Sequence, residues 1–223
     1  MEAKITQPAK QPPARPAPRL YLATPPVEDA REFAGKISGA LNEADIAAVL
    51  LRLVPADERT LINRVKTIAP AVHAADIALI IEGHAEIVAH SGADGAHLPD
   101  MESLQEAGPR LKPDNRIVGA GGMHTRHDAM IAAEDGADYI MFGEPDADGN
   151  RPSFDAILDR IEWWSEVFEI PCVAWAGSLE EIGELRAAGA DFIAVGEFVF
   201  ADPRGLGPAL ADVMAHLSAK APA

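Results

Sequence analysis

The tripeptide Gly-Ala-Asp stands directly before a short apolar run at three places in the sequence. These places are residues 92–98 (GADGAHL), 136–142 (GADYIMF) and 189–195 (GADFIAV), and residues 43–45 (EAD) form a weaker fourth copy. A glycine after the last helical turn supplies the left-handed conformation that ends a helix. The apolar runs that follow have the length of buried strands. The repeat therefore predicts a fold built from successive helix–strand units.

The same alternation continues along the rest of the chain. Eight apolar runs predict strands, which begin near Leu20, Ala47, Ala78, Gly95, Arg116, Tyr139, Pro171 and Phe192. Helical spacing is found at residues 30–41, 58–68, 85–91, 126–134, 154–168, 179–188 and 208–219. This pattern predicts a single-domain α/β fold, a (β/α)8 TIM barrel. An open doubly wound sheet is the alternative, although no G-x-G-x-x-G sequence follows the first strand.

The amino-terminal segment differs in composition from the predicted barrel. Residues 1–18 hold five of the 18 prolines and few apolar side chains. Such a composition is typical of a disordered, polyproline-like arm. We therefore expect an arm over residues 1–18 and the barrel over residues 19–219.

Charge and cysteine content narrow the possible functions. The formal net charge is −16, and nucleic-acid binding requires a basic surface instead. A strongly acidic surface also disfavours an anionic membrane, and no apolar run reaches the roughly 18 residues that a membrane span needs. Cys172 is the single cysteine, which is typical of a reducing compartment. We expect a cytoplasmic protein that binds neither nucleic acid nor membrane.

The predicted barrel places the functional site at the carboxyl ends of its strands. Phosphate groups commonly bind there, at the loops after the seventh and eighth strands. Gly177 and Ser178 follow the seventh predicted strand and Gly196 follows the eighth, so we expect these residues to bind phosphate. Ser178 has a second interpretation, as the cap of the next helix. Glu197 opposes anion binding, because a carboxylate repels a phosphate.

Four strings in this order resemble the thiamine phosphate synthase and thiazole tautomerase (TenI-like) family. They are Tyr21-Leu22-Ala23-Thr24 and the three strings that begin with Gly-Ala-Asp, and the resemblance spans residues 21 to about 203. It implies a transferase of thiamine biosynthesis that joins hydroxymethylpyrimidine diphosphate to thiazole phosphate and releases pyrophosphate. Small phosphorylated heterocycles would be its substrates, Mg²⁺ its cofactor, and a homodimer its assembly.

The resemblance also implies roles for individual residues. Arg52 and Arg151 would hold the diphosphate, and Gly121 and Gly122 stand where the family has a substrate-contacting Ser. Carboxylates near the family's metal ligands are available to bind Mg²⁺; they are Glu82, Asp100 and Glu102. Other positions depart from the family pattern. Val54 replaces a cationic residue, and Asp148 and Glu197 add negative charge, so these three changes oppose anion binding.

The tautomerase branch of the family suggests a second function. Its members carry Phe-Gly-His after the sixth strand, and that His moves the proton that aromatises the thiazole. The present sequence reads Phe142-Gly143-Glu144, so Glu144 would act as the general acid or base, with a pKa raised by burial. His97, at the end of the fourth strand, is a second candidate for proton transfer. A third reading is a non-catalytic barrel that binds a phosphorylated ligand.

Overall fold

Eight parallel strands form a closed barrel in a computed structural model, which describes residues 16–146 and 148–219. The strands are β1 (Arg19–Ala23), β2 (Ile46–Leu51), β3 (Ala78–Glu82), β4 (Gly95–Leu98), β5 (Ile117–Ala120), β6 (Tyr139–Phe142), β7 (Cys172–Trp175) and β8 (Phe192–Val195). Each strand pairs with its neighbours in chain order, and β8 closes the ring against β1. The predicted (β/α)8 barrel is confirmed, and the open doubly wound sheet was wrong.

Helices surround the barrel in the described part of the chain. They are α1 (Ala30–Ser38), α2 (Glu58–His73), α3 (Val88–Ser91), α4 (Met101–Leu111), α5 (Arg126–Glu134), α6 (Phe154–Val167), α7 (Glu181–Ala187), α8 (Glu197–Phe200) and α9 (Leu206–Ser218). Short 3₁₀ turns cover Ala40–Asn42, Ala85–Ile87 and Lys112–Asp114. None of these helices is long and apolar enough to cross a membrane.

Two helices lie where the apolar spacing predicts none, namely α4 and α8. Gly108 and Pro109 fall within α4, and both are poor helix formers that interrupt the pattern. Asp100 nevertheless begins this helix, because its carboxylate accepts a hydrogen bond from the backbone N–H of Ser103 at 2.7 Å. Most of the predicted arm, residues 1–15, lies outside the described residues, and the arm stays a prediction. Pro18 is buried directly before β1.

The glycines of the Gly-Ala-Asp repeat end helices as predicted. Gly92, Gly136 and Gly189 have φ angles of 87°, 94° and 97°, in the left-handed region that glycine occupies without strain. The chain can therefore turn directly from each helix into the next strand.

The aspartates of the repeat have a role that the sequence did not predict. Each carboxylate accepts a hydrogen bond from a backbone N–H on the preceding strand: Asp94 from Leu79 at 2.7 Å, Asp138 from Val118 at 2.8 Å and Asp191 from Cys172 at 2.8 Å. The weaker copy differs, since Asp45 instead pairs with the Arg19 guanidinium at 2.7 Å. The three full copies thus fasten adjacent strands together at the amino end of the barrel.

The apolar core has two parts. A large outer part fills the space between the strands and the helices. A smaller inner part fills the barrel and consists of Tyr21, Ala23, Ala48, Leu50, Ile80, Tyr139, Met141, Val173, Trp175 and Ala194. The inner part contains both tyrosines of the chain, so the barrel interior holds phenol groups that need polar partners.

Candidate active site

The predicted catalytic residues lie at the carboxyl end of the barrel. Arg52 directly follows β2, and Glu82 ends β3. His97 lies within β4, Glu144 follows β6 by two residues, and Arg151 precedes α6. This end of the barrel, here called the mouth, is where barrel enzymes place their chemistry.

A chain of hydrogen bonds crosses the interior of the barrel below the mouth. The hydroxyl of Tyr139 lies 2.7 Å from the hydroxyl of Tyr21 and 3.0 Å from Nδ1 of His97. All three side chains are buried. Burial raises the pKa of both phenols, so they remain protonated. The Tyr139 hydroxyl therefore fixes the orientation of the His97 ring, with Nε2 pointing toward Glu144.

Glu144 folds back over the mouth toward His97. Its Oε1 accepts a short hydrogen bond from the backbone N–H of Gly122 and lies 3.9 Å from Nε2 of His97. Its Oε2 is buried and has no hydrogen-bond partner within the described residues. Burial raises the pKa of Glu144 to about 8, and the nearby charge of Glu82 adds to the rise. Near neutral pH the side chain is thus a carboxylic acid that can donate a proton.

Burial has the opposite effect on His97. It lowers the pKa of the imidazole to about 4, because a low-dielectric environment disfavours the charged form of each group. The result at neutral pH is an uncharged acid beside an uncharged base. Such a pair can exchange a proton with a bound ligand without placing a net charge in the mouth.

Gly121 and Gly122 form the platform on which Glu144 lies. A Cβ atom at Gly121 would overlap Oε1 of Glu144 and Nε2 of His97, and one at Gly122 would overlap the carbonyl of Pro99. Gly122 also has a φ of 65°, which favours glycine. In this structure the Gly122 N–H is bonded to Glu144, so the predicted contact of these glycines with substrate stays a prediction.

Arg52 and Glu82 pair with each other across β2 and β3. Nε of Arg52 lies 3.1 Å from Oε2 of Glu82, and both side chains are partly exposed. The backbone N–H of Arg52 donates to the hydroxyl of Thr24 at 3.0 Å, which fixes the chain at this point. The structure thus brings together a predicted anion-binding residue and a predicted metal ligand.

The three carboxylates predicted to bind Mg²⁺ do not form a preassembled site. Glu82 is engaged by Arg52, Asp100 caps α4, and Glu102 is exposed on the first turn of α4. Across residues 16–146 and 148–219, no group of three or more His, Cys, Asp or Glu side chains is close enough to hold a metal ion. The residues present therefore do not fit an all-protein Mg²⁺ site.

Arg151 meets the loop after β7. Its guanidinium donates to the carbonyls of Gly143 and Trp175 at 2.8 and 2.9 Å. It also contacts both carboxylate oxygens of Glu181, at 3.1 and 3.3 Å. The same carboxylate accepts the backbone N–H of Gly177 at 2.7 Å. Arg151 therefore shares one anion site with Gly177, on the opposite side of the mouth from Arg52.

Known proteins resemble this chain over nearly all of its described length. A thiamine-phosphate synthase from Rhodospirillum centenum is 39% identical over 196 residues, which cover 87% of this chain and 95% of that protein. Another from Hyphomonas neptunium is 36% identical over 197 residues, with coverage of 83% and 87%. The family model described as thiamine monophosphate synthase matches residues 20–199.

The chain belongs to the thiamine monophosphate synthase family.

Solved structures agree with this family at the level of the fold. Thiamine phosphate pyrophosphorylase from Pyrococcus furiosus superposes with a TM-score of 0.73 at 23% identity, covering 89% of this chain and 95% of that one. A 3-hexulose-6-phosphate synthase from Salmonella typhimurium gives a TM-score of 0.69 at 14% identity, with coverage of 89% and 98%. The barrel is thus shared more widely than the thiamine monophosphate synthase family.

The remaining predicted phosphate-binding residues lie near the site but differ in their contacts. Ser178 is hydrogen-bonded to Glu180, which lowers the pKa of that carboxylate, and Glu180 rather than Ser178 precedes α7 as its cap residue. The interpretation of Ser178 as the cap of this helix was therefore wrong. Gly196 packs under the indole of Trp175, where a Cβ would come within 2.9 Å of the ring. Phosphate binding by Ser178 and Gly196, which the resemblance to the thiamine monophosphate synthase family implies, stays a prediction.

The acids near the mouth differ in their exposure and in their partners. Asp148 and Glu197 are exposed. Closer to the site, Arg52 neutralises Glu82 and Arg151 neutralises Glu181. Glu82 and Glu181 are thus paired with arginines. Glu144 is uncharged at neutral pH because it retains its proton.

Sequence reasoning missed Tyr21, Tyr139 and Glu181. A signal existed for the two tyrosines, since they are the only ones in the chain and both fall within predicted buried strands, where a phenol needs a partner. Glu181 gave no such signal. It lies among several acids at the start of α7, and only the fold brings it against Arg151.

Proposed function

We propose that this protein is a thiamine phosphate synthase, which joins hydroxymethylpyrimidine diphosphate to thiazole phosphate and releases pyrophosphate. The observation that carries the proposal is the presence of two arginines on opposite sides of one barrel mouth. Arg52 follows β2, and Arg151 lies against the ends of β6 and β7, which are four and three strands away from β2 in the closed ring. The reaction needs two anionic groups to be held apart with the reacting atoms between them.

The proposed step is a substitution at the methylene carbon of the pyrimidine. Its bond to the diphosphate oxygen breaks, and the electron pair leaves with the diphosphate. The thiazole nitrogen then donates its lone pair to the resulting cation and forms the C–N bond. Positive charge close to the leaving oxygen stabilises this step. We assign that role to Arg52, and we assign the thiazole phosphate to Arg151 and Gly177.

This assignment revises one part of the expectation from the sequence. The resemblance implies that Arg52 and Arg151 together hold the diphosphate. Arg151 and the Gly177 N–H both donate to the carboxylate of Glu181. Their proximity supports a separate site for each anion. The pair of His97 and Glu144 lies at the same end of the barrel and, being uncharged near neutral pH, adds no negative charge there.

Cofactor, assembly and compartment also belong to the proposal. Mg²⁺ commonly keeps several waters and binds through one or two carboxylates together with substrate phosphates. We therefore propose that any Mg²⁺ requirement reflects an ion that arrives with the diphosphate. We further propose a homodimer in the cytoplasm, as the family resemblance and the single cysteine suggest.

Arginine variants test the proposed synthase function. Arg52→Gln and Arg151→Gln should each lower kcat/KM for thiamine phosphate formation at least about tenfold, because each removes a charged hydrogen-bond donor from an anion. Arg19→Gln is the matched control. Arg19 lies at the other end of the barrel, where it pairs with Asp45 on the surface. Equal activity in all four proteins would exclude the proposed site.

A second candidate function is proton transfer on the thiazole, as in a tautomerase. The placement of the buried Oε2 of Glu144 and the approach of its Oε1 to His97 favour it. Glu144→Gln keeps the shape of the side chain but cannot exchange the proton. Full tautomerase activity in this variant would exclude Glu144 as the proton carrier. Binding of thiazole phosphate and pyrophosphate without turnover of either reaction would instead support the non-catalytic barrel.

A further inference from the structure

The guanidinium of Arg151 is held rigidly at the loop after β7. Two backbone carbonyls, those of Gly143 and Trp175, accept its Nε and Nη2 protons. These carbonyls stand at the ends of neighbouring strands, so they fix the plane of the guanidinium relative to the barrel. The second N–H of Nη2 and one N–H of Nη1 donate to Glu181. A guanidinium held in a fixed plane is suited to bidentate recognition of carboxylate or phosphate.

Glu181 occupies these donors as an anion supplied by the protein itself. Its two oxygens take the Arg151 contacts at 3.1 and 3.3 Å, and Oε2 also accepts the Gly177 N–H at 2.7 Å. Two oxygens of a phosphate group could accept from the same three donors. The arrangement is therefore compatible with an anionic ligand.

The donors that Glu181 occupies cannot serve this carboxylate and a phosphate at the same time. Nη1 and Nη2 of Arg151 each contact one oxygen of Glu181, and the Gly177 N–H donates to the same carboxylate. The side chains of Arg151 and Glu181 are 22% and 21% exposed, so a ligand can reach them from the mouth. Phosphate and Glu181 must then compete for one set of donors.

We propose that Glu181 is an intramolecular competitor for phosphate, which an incoming phosphate group must displace from Arg151 and Gly177. The identity of that group as the phosphate of the thiazole substrate rests on the proposed function, whereas the competition does not. Glu181 thereby sets the affinity of the site, and through it the KM for the phosphorylated substrate. It acts on the ligand by vacating the donors and takes no part in the chemical step.

Binding of inorganic phosphate tests this proposal directly. Calorimetric titration of Glu181→Gln should give a Kd for phosphate about tenfold lower than that of the unaltered protein, since the amide is uncharged and binds Arg151 less strongly. The amide oxygen can still accept the Gly177 N–H, so the fold is retained. Glu184→Gln is the matched control, because Glu184 is exposed one turn further along α7 and its substitution changes the net charge equally.

A second variant separates competition from a general charge effect. Arg151→Gln/Glu181→Gln should lose the gain in phosphate affinity, because the guanidinium is the shared partner. An NMR titration should show the Gly177 amide shifting with phosphate in Glu181→Gln at lower concentration than in the unaltered protein.

Several results would overturn the proposal: equal phosphate affinity in the unaltered protein and Glu181→Gln, an equal gain in Glu184→Gln, or no phosphate binding in any variant. The proposed function fails separately, if Glu181→Gln binds phosphate more tightly but no thiamine phosphate is formed. In a working synthase, Glu181→Gln should lower KM for thiazole phosphate and leave kcat within about twofold.

Discussion

Oε1 of Glu144 lies 3.9 Å from Nε2 of His97. Burial shifts the pKa values of these two side chains in opposite directions. Burial raises the pKa of Glu144 to about 8 and lowers the pKa of His97 to about 4. Both groups are uncharged between these values. The pair thus places an acid and a base at the mouth without adding a charge that would repel the two anions of the proposed reaction.

The pH dependence of stability should report the buried acid. The folded protein keeps the Glu144 proton up to about pH 8, while the unfolded chain loses it near the ordinary pKa of 4.5. The free energy of unfolding therefore falls as pH rises between these values. His97 works in the other direction, but only below its ordinary pKa of 6.5. Above pH 6.5, the decline belongs to Glu144.

Glu144→Gln should remove this decline. Between pH 6.5 and 8.5 the unaltered protein should lose up to about 2 kcal/mol of stability more than the variant, measured by urea unfolding. Glu102→Gln is the control, since Glu102 is exposed on α4 and its substitution should leave the slope unchanged. Parallel pH profiles for the unaltered protein and Glu144→Gln would contradict the raised pKa.

The hydrogen-bond chain in the barrel predicts a non-additive pair of substitutions. Tyr139→Phe removes the hydroxyl that contacts both Tyr21 and His97, and leaving buried polar groups without it should cost about 1–3 kcal/mol. Adding Tyr21→Phe should cost less than Tyr21→Phe does alone, because the Tyr21 hydroxyl has already lost this partner. Chemical denaturation of the four proteins measures the coupling. Additive effects would show that the hydroxyls act independently.

The platform under Glu144 requires glycine at position 121. Gly121→Ala should destabilise the protein by about 1–3 kcal/mol, because its Cβ overlaps Glu144 and His97. The same change at Gly35 is the matched control. A Cβ there meets nothing within 4 Å, and Gly35→Ala within α1 should stabilise by about 0.5–1 kcal/mol. Thermal unfolding compares the two, and equal effects would contradict the close packing at Gly121.

The fold could be predicted from sequence because its signals are local. Each glycine of the Gly-Ala-Asp repeat ends a helix within the same few residues that begin a strand, and eight such alternations leave few topologies. Helix α4 escaped prediction for a local reason as well, since Gly108 and Pro109 interrupt its pattern. The role of the repeat's aspartates could not be read locally, because their N–H partners lie 15 to 20 residues away on another strand.

Those aspartates provide a further test. Asp191→Ala removes the acceptor of the Cys172 N–H and should cost about 1–2 kcal/mol, whereas Asp191→Asn should retain part of the bond through its amide oxygen. Asp45→Ala should cost under about 1 kcal/mol, because the Asp45–Arg19 pair is exposed. Urea unfolding ranks the three variants. A cost for Asp45→Ala equal to that for Asp191→Ala would contradict the distinct role of the full repeat.

The site was predicted less completely than the fold because its partners are distant in sequence. The family resemblance identifies Arg52, Arg151 and Glu144 as site residues, and His97 is identified at the end of the fourth predicted strand. Arg52, Arg151 and His97 contact Glu82, Glu181 and Tyr139 across 30 to 42 residues of sequence. Local spacing cannot reveal such contacts. The two acids that the sequence marks as unfavourable for anions, Asp148 and Glu197, are exposed in the structure.

The most direct test of the proposed function is the complete reaction with purified protein. Hydroxymethylpyrimidine diphosphate, thiazole phosphate and Mg²⁺ are supplied together, and thiamine phosphate and pyrophosphate are both quantified over time. We expect the two products to form in equal amounts and Arg52→Gln to slow the formation of both at least about tenfold. Folded protein that binds both substrates but forms no thiamine phosphate would contradict the proposed function.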